Sequence, residues 1–127
     1  MGIVHHSQYV RYFEIARIEM LRSFGISYRD MEEQGALLVV VSLAARYRSP
    51  ARFDDILEVT TTVIRLTGIR IQLEYRIHRQ QDRVLVAEGE TTLACVDRAG
   101  QLQVMPRSVR DLLGSTSGAA RPPAEEG

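Results

Sequence analysis

The spacing of apolar residues changes at Gly35, from a period near 3.6 to a period of 2, and this switch constrains the fold more than any other feature of the chain. Before it, Tyr9, Val10, Phe13, Ala16, Met20, Leu21 and Phe24 recur every three or four positions, with Arg11, Glu14, Arg22 and Ser23 on the other side. The pattern predicts one long helix over Ser7–Phe24 with a buried stripe, Ser7 as its N-cap and Gly25 as its stop. Tyr28–Gln34 adds a short helical turn closed by Gly35. After it, Ala36–Arg48 begins as an apolar run, then alternates, and is broken by Ser49-Pro50. Ile56–Leu66 is rich in Val and Thr and reads as a strand.

Ile69–Arg79 alternates cleanly, with Ile69, Ile71, Leu73, Tyr75 and Ile77 on one face. Arg83–Val96 is a longer strand carrying Leu85, Ala87, Gly89, Thr91, Leu93 and Cys95 on one side. Gln101–Met105 reads as a short strand, and Pro106 opens a last helix over Arg107–Leu113. One long helix followed by about four strands on short turns favours antiparallel pairing. The expected class is α+β, a curved antiparallel sheet wrapped around its helix. Residues 1–113 form a single domain, and the small, polar, Pro-containing segment 114–127 reads as a disordered tail. A bare face or edge on so small a sheet invites a partner copy, so a homodimer or homotetramer is expected.

Sixteen basic and sixteen acidic residues cancel, which removes the broad electrostatic argument for nucleic acid but leaves room for a local basic patch. The single cysteine, Cys95, allows no internal disulfide and alternates with core positions, so it reads as a packed small hydrophobe. No apolar run approaches the roughly 18 residues of a membrane span, and the N-terminus lacks the layout of a signal peptide. A cytoplasmic protein is expected. His5 and His6 are adjacent, which does not bring both rings onto one ion, so no metal site is expected. His78, on the polar face of a strand, reads as exposed, and Glu88 and Glu90 as a polar edge.

The segment GIVHHSQYVRYFEIARIEMLRSFG resembles the signature of hotdog-fold acyl-CoA thioesterases of the 4-hydroxybenzoyl-CoA thioesterase and YbgC type. ARYRSPARFDDILEVTTTV and ETTLACVD are similar to later strands of the same family, and the resemblance spans about residues 1–113. It implies a hotdog fold lacking the family's first strand, and hydrolysis of an acyl-CoA to a free acid and coenzyme A. Coenzyme A is then part of the substrate, and no separate cofactor is implied. The family's catalytic carboxylate stands three residues before the glycine that matches Gly2, and so upstream of Met1. Thioester hydrolysis by the 127 residues is therefore expected to be weak. The alternative is a non-catalytic hotdog domain that binds acyl-CoA or serves in assembly.

The same resemblance assigns residues. His6 matches the position whose backbone N–H polarises the thioester carbonyl, at the positive end of the helix. Tyr9, about one turn further on, points into the same cleft or onto the sheet. Glu14 matches a usual glutamate of relatives; it is either a substitute base or, in the preferred reading, an ion-pair partner of Arg11 or Arg17. Arg46, Arg48 and Arg52 flank the Ser49-Pro50 turn and read either as a solvated basic loop or as contacts to the phosphates of coenzyme A.

Overall fold

In residues 7–116, which the computed structural model describes, a long helix, α1 (Ser7–Ser23), leads into a short one, α2 (Tyr28–Glu33). Four strands follow, β1 (Leu37–Tyr47), β2 (Leu57–Leu66), β3 (Arg70–Arg79) and β4 (Leu85–Val96), and a last helix, α3 (Arg107–Thr116), closes the described chain. The helix boundaries have local causes. Gly25 takes a left-handed φ of 87°, and the Ile26 N–H donates back to the Leu21 carbonyl, which ends α1. Ser27 caps α2 by accepting from the Asp30 N–H. Gly35 is also left-handed and turns the chain into β1.

The sheet is antiparallel in the order β1-β4-β3-β2. Short turns join β2 to β3 and β3 to β4, and these pairs are neighbours as expected. β1 is not the neighbour of β2: the connection through Ser49-Pro50 is too long and too rigid for a tight hairpin, and β1 pairs with β4 at the far side. Glu88 and Glu90 therefore sit on an interior strand rather than on an edge. The expected strand over Gln101–Met105 reduces to one bridge between Val96 and Leu102. Past it, the Met105 N–H donates to the Gly68 carbonyl, which carries the chain away from β4 towards the β2–β3 turn. α3 extends beyond the expected end at Leu113 to Thr116.

The period-2 pattern of β3 is realised from Ile71 to Ile77: Ile71, Leu73, Tyr75 and Ile77 are fully buried beneath α1, while Ile69, expected on the same face, falls before the strand and is half-buried. Phe13, Ala16, Met20 and Leu21 meet them from the helix stripe, and Ala87, Thr91, Leu93 and Cys95 from β4. Truncating a buried aromatic such as Phe13 costs about 3–5 kcal/mol in a core of this kind. Arg17 lies on the same stripe and is also buried. Its Nε donates to the Tyr28 hydroxyl at 3.2 Å, which ties α1 to α2. Among the described residues β1 and β2 form the edges of the sheet, and β1 exposes Val39, Val40, Val41 and Leu43.

Candidate active site

The N-terminal end of α1 meets the C-terminal end of β1. Tyr9 is the first buried aromatic of the helix, and its ring lies 5.6 Å from that of Tyr47 and 6.1 Å from that of Tyr12. Ala51, fully buried in the loop after β1, brings its backbone to the Tyr9 phenol. Burial, followed by the neighbouring Tyr12, pushes the Tyr9 hydroxyl above its ordinary range, and the Ala51 backbone bond only partly offsets this. Tyr9 is therefore a neutral phenol at physiological pH. It can donate or accept a hydrogen bond but cannot act as a phenolate base.

The sequence-predicted residues separate into three groups. His6, with His5, lies outside the described residues; the first described residue is Ser7, at the start of α1. Glu14 is five positions after Tyr9 on α1, and it is exposed where Tyr9 is buried. Neither ion pair expected for it forms among the described residues: Arg17 has turned into the core to bond Tyr28. Periodicity carried the signal for Arg17, since position 17 falls on the Phe13–Met20 stripe, but its charge argued for the solvent side.

Arg46, on β1, and Arg48, one residue past its end, converge on one carboxylate. Arg48 places Nη2 at 2.6 Å and Nε at 2.8 Å from Glu88 Oε2, and Arg46 lies at 3.5 Å from the same atom. The Arg48 hydrogen bond and the charges of both arginines hold the Glu88 carboxyl below its usual range. Arg76, on the other flank, reaches the second oxygen at 4.0 Å. Arg52 stands apart: its backbone N–H donates to Asp55, and its side chain makes no ion pair among the described residues. It borders a cavity of about 400 Å³ together with Pro50, Asp54, Asp55, Arg79 and Gln81, a lining of mixed charge.

Beside Tyr12 a groove of about 330 Å³ runs between α1 and β2, lined by Ile15, Ala16, Leu57 and Val59 with Glu19 and Asp55 at its rim. An apolar floor with an acidic rim favours uncharged apolar groups and repels anionic ones. Cys95 is buried and its thiol is raised by burial, so it is no nucleophile at neutral pH. His78 is half-buried on the outer face, its imidazole lowered by burial and then by Arg83 and Arg76. The described residues contain no cluster of side chains that could hold a metal ion and no helix long and apolar enough to cross a membrane.

A family model described as the thioesterase-like superfamily matches residues 1–113. The chain belongs to the thioesterase-like superfamily. It is 34% identical over 112 residues to a putative esterase of Aquifex aeolicus, covering 88% of this chain and 85% of that one. It is 33% identical over 108 residues to the acyl-CoA thioester hydrolase YbgC of Escherichia coli strain CFT073, covering 85% and 78%. Among solved structures, a hypothetical protein of Thermus thermophilus superposes with a TM-score of 0.82 at 35% identity, covering 91% and 87% of the two chains. A 1,4-dihydroxy-2-naphthoyl-CoA thioesterase of Synechocystis superposes equally well, at 0.82, with 21% identity and coverage of 89% and 84%, a likeness of fold. The fold of this thioesterase-like chain is the hotdog fold, an antiparallel sheet wrapped around α1.

Proposed function

We propose that the protein hydrolyses an acyl-CoA thioester to the free acid and coenzyme A. The observation that carries this is the match of residues 1–113 to the thioesterase-like model, with Ser7–Ser23 of the signature segment forming α1. The relatives named as acyl-CoA thioester hydrolases support the same reaction. In this reading the thioester carbonyl lies at the N-terminal end of α1. There the unsatisfied N–H groups and the helix dipole favour the oxyanion that develops when water adds to the carbonyl carbon. The backbone N–H of His6 is the donor that the family signature assigns to that carbonyl. Tyr9, neutral and packed between Tyr12 and Tyr47, fixes the wall of the cleft. Its hydroxyl orients a polar atom of the substrate or water rather than taking a proton. The added water gives up a proton to solvent, the C–S bond breaks as the tetrahedral intermediate collapses, and the departing coenzyme A thiolate takes a proton back from solvent, leaving free acid and thiol.

Arg46 and Arg48 share one carboxylate, which leaves positive charge on the outer face of the sheet, at the end that carries Tyr47, for a phosphate of coenzyme A. Arg52 adds an exposed guanidinium nearby in sequence. No metal or organic cofactor takes part in this scheme. The protein acts as a homo-oligomer in the same proposal: the free edge of β1 and its exposed Val39, Val41 and Leu43 give a second copy both hydrogen-bonding groups and apolar surface.

The test is a panel of aromatic, short-chain and medium-chain acyl-CoA substrates with release of free thiol as the readout. Cleavage of at least one substrate, lowered at least tenfold in kcat by Tyr9→Ala in a protein that still melts cooperatively, supports the reading. Saturable acyl-CoA binding with no thiol release from any substrate would replace it with the non-catalytic acyl-CoA-binding domain.

A further inference from the structure

Two arginines on the outer face of the sheet have no counter-charge, and they stand beside the place where α3 hands on the rest of the chain. A bulge in β2 positions the first. Register is lost between Val63 and Arg65, so Arg65 stands opposite Gln72 on the outer face instead of following Val63 into the core. Arg70 lies two positions before Gln72, on the same face of β3. Both are exposed, and neither forms an ion pair among the described residues, whereas Arg76 and Arg83, towards the other end of the face, are paired. With Thr92 and the turn between β2 and β3 they border a surface cavity of about 470 Å³ whose lining contains no acid. Two like charges held there repel each other until an acid joins them.

The chain itself brings acids to this end. α3 packs here: a Cβ on Gly114 would meet Leu66 Cδ2 at 4.0 Å, and Leu66 is the neighbour of Arg65. Beyond Thr116, where α3 ends, come residues 117–127, SGAARPPAEEG. This segment carries two adjacent acids, Glu125 and Glu126, and one base, Arg121. Pro122-Pro123 separates them, and a proline pair favours extended backbone that holds the acids away from the base. From Thr116 to Glu125 the chain can span up to about 30 Å when extended. Leu66 stands opposite the buried Ile71 and Arg65 opposite Gln72, so the segment must pass round β2 to reach the arginines. β2 is an edge of the sheet among the described residues, which leaves that passage open.

We propose that residues 117–127 fold back round the edge of β2 and that Glu125 and Glu126 pair with Arg65 and Arg70. A carboxylate accepts two parallel N–H bonds from a guanidinium fork, so two acids and two arginines match in number and in geometry. One exposed ion pair is weak, and the tether compensates, because a short linker supplies the acids at an effective concentration in the millimolar range. Weak pairing against such a supply makes a contact that ionic strength opens and closes. The segment is thus a strap over this end of the sheet, closed at low salt and open at high salt. It does not rest on the thioesterase reading above.

The experiment is paramagnetic relaxation measured on the full chain, with a nitroxide attached through Ala124→Cys. Cys95 is buried, with its thiol raised, and stays unlabelled. Broadening of the Arg65, Arg70 and Gln72 amides is read against that of His78, about 20 Å away on the same face, counted as six residues of strand from Gln72. Broadening at least threefold stronger at the Arg65 end is expected at ~0.01 M salt and is lost at ~1 M, as the Debye length falls from about 30 to about 3 Å. Glu125→Gln with Glu126→Gln abolishes the difference, and so does Arg65→Gln with Arg70→Gln. Glu32→Gln with Glu33→Gln, which removes two exposed acids elsewhere, leaves it intact. The Glu125/Glu126 variant alters nothing in α1–α3 or the sheet, so it decides the matter whatever the arginine variant does to folding. No broadening, equal broadening at both ends, or broadening that persists at high salt or without the two acids overturns the proposal. Spin-labelled chains mixed with isotope-labelled chains that carry no nitroxide read contacts between copies. Broadening as strong in that mixture as within one chain gives the contact to a second copy and overturns the intramolecular strap.

Discussion

The ring of Phe13 on α1 stacks on that of Tyr75 on β3, with centroids 4.7 Å apart and planes 16° from parallel. Gly89 on β4 makes room for this stack. A Cβ there would fall 2.6 Å from the Phe13 ring on one side and 2.6 Å from the Ala44 carbonyl on the other. The helix can approach the sheet this closely only because one strand position has no side chain.

Gly89→Ala is therefore an overpacking substitution, squeezed between a core ring and a neighbouring backbone. It is expected to destabilise the fold by about 1–3 kcal/mol. For a domain of this size each kcal/mol lowers the melting temperature by roughly 3–5 °C. Thermal unfolding of the variant measures it; a melting temperature equal to the wild type's would mean that α1 rides further from the sheet than described.

Glu88 links pH to stability. Its folded carboxyl is held below the ordinary value of about 4.5, first by the Arg48 hydrogen bond. A depressed folded pKa gives stability that is present above the unfolded value and lost as pH falls through the folded one. The stability gap between wild type and Glu88→Gln should thus be open at neutral pH and close on acidification below the carboxylate range. Melting curves across that range check this; a gap independent of pH would show that the Arg48 bond does not persist in solution.

Glu14 is exposed and unpaired among the described residues, on a side of α1 away from Tyr9. Glu14→Gln should leave kcat within about twofold, against the hundredfold or greater loss that removing a general base brings. A large drop with KM unchanged would restore Glu14 as the base.

The free edge of β1 makes a test of assembly. Val39→Lys with Val41→Lys places charge on exposed positions of that strand. Charged residues are what natural sheets use to block edge pairing. Light scattering should report an oligomer for the wild type and a smaller species for the variant; identical masses would remove β1 from the interface.

The architecture was legible because two periods carry it. The stripe Phe13, Ala16, Met20, Leu21 and the alternation Ile71, Leu73, Tyr75, Ile77 both became core as written. Strand order was not legible. Nothing local in LLVVVSLAARY says that β1 crosses to β4, because that choice is made by the long Ser49–Ile56 connection and by the other strands. The burial of Tyr9 was legible, because it follows the helix stripe. The partners of Arg46 and Arg48 were not: Glu88 is about forty residues away, and only the β1–β4 register brings it opposite Arg46.

Arg17 gives the long helix an orientation as well as a place. A purely apolar stripe lets a helix roll on a sheet by trading one methyl contact for another. A guanidinium buried beside Tyr28 and Tyr75 does not permit that exchange, because any roll strips the charge of its phenol oxygen while it remains out of water. The rotational angle of α1 about its own axis is thereby set, from more than two turns away, for the end that carries Tyr9.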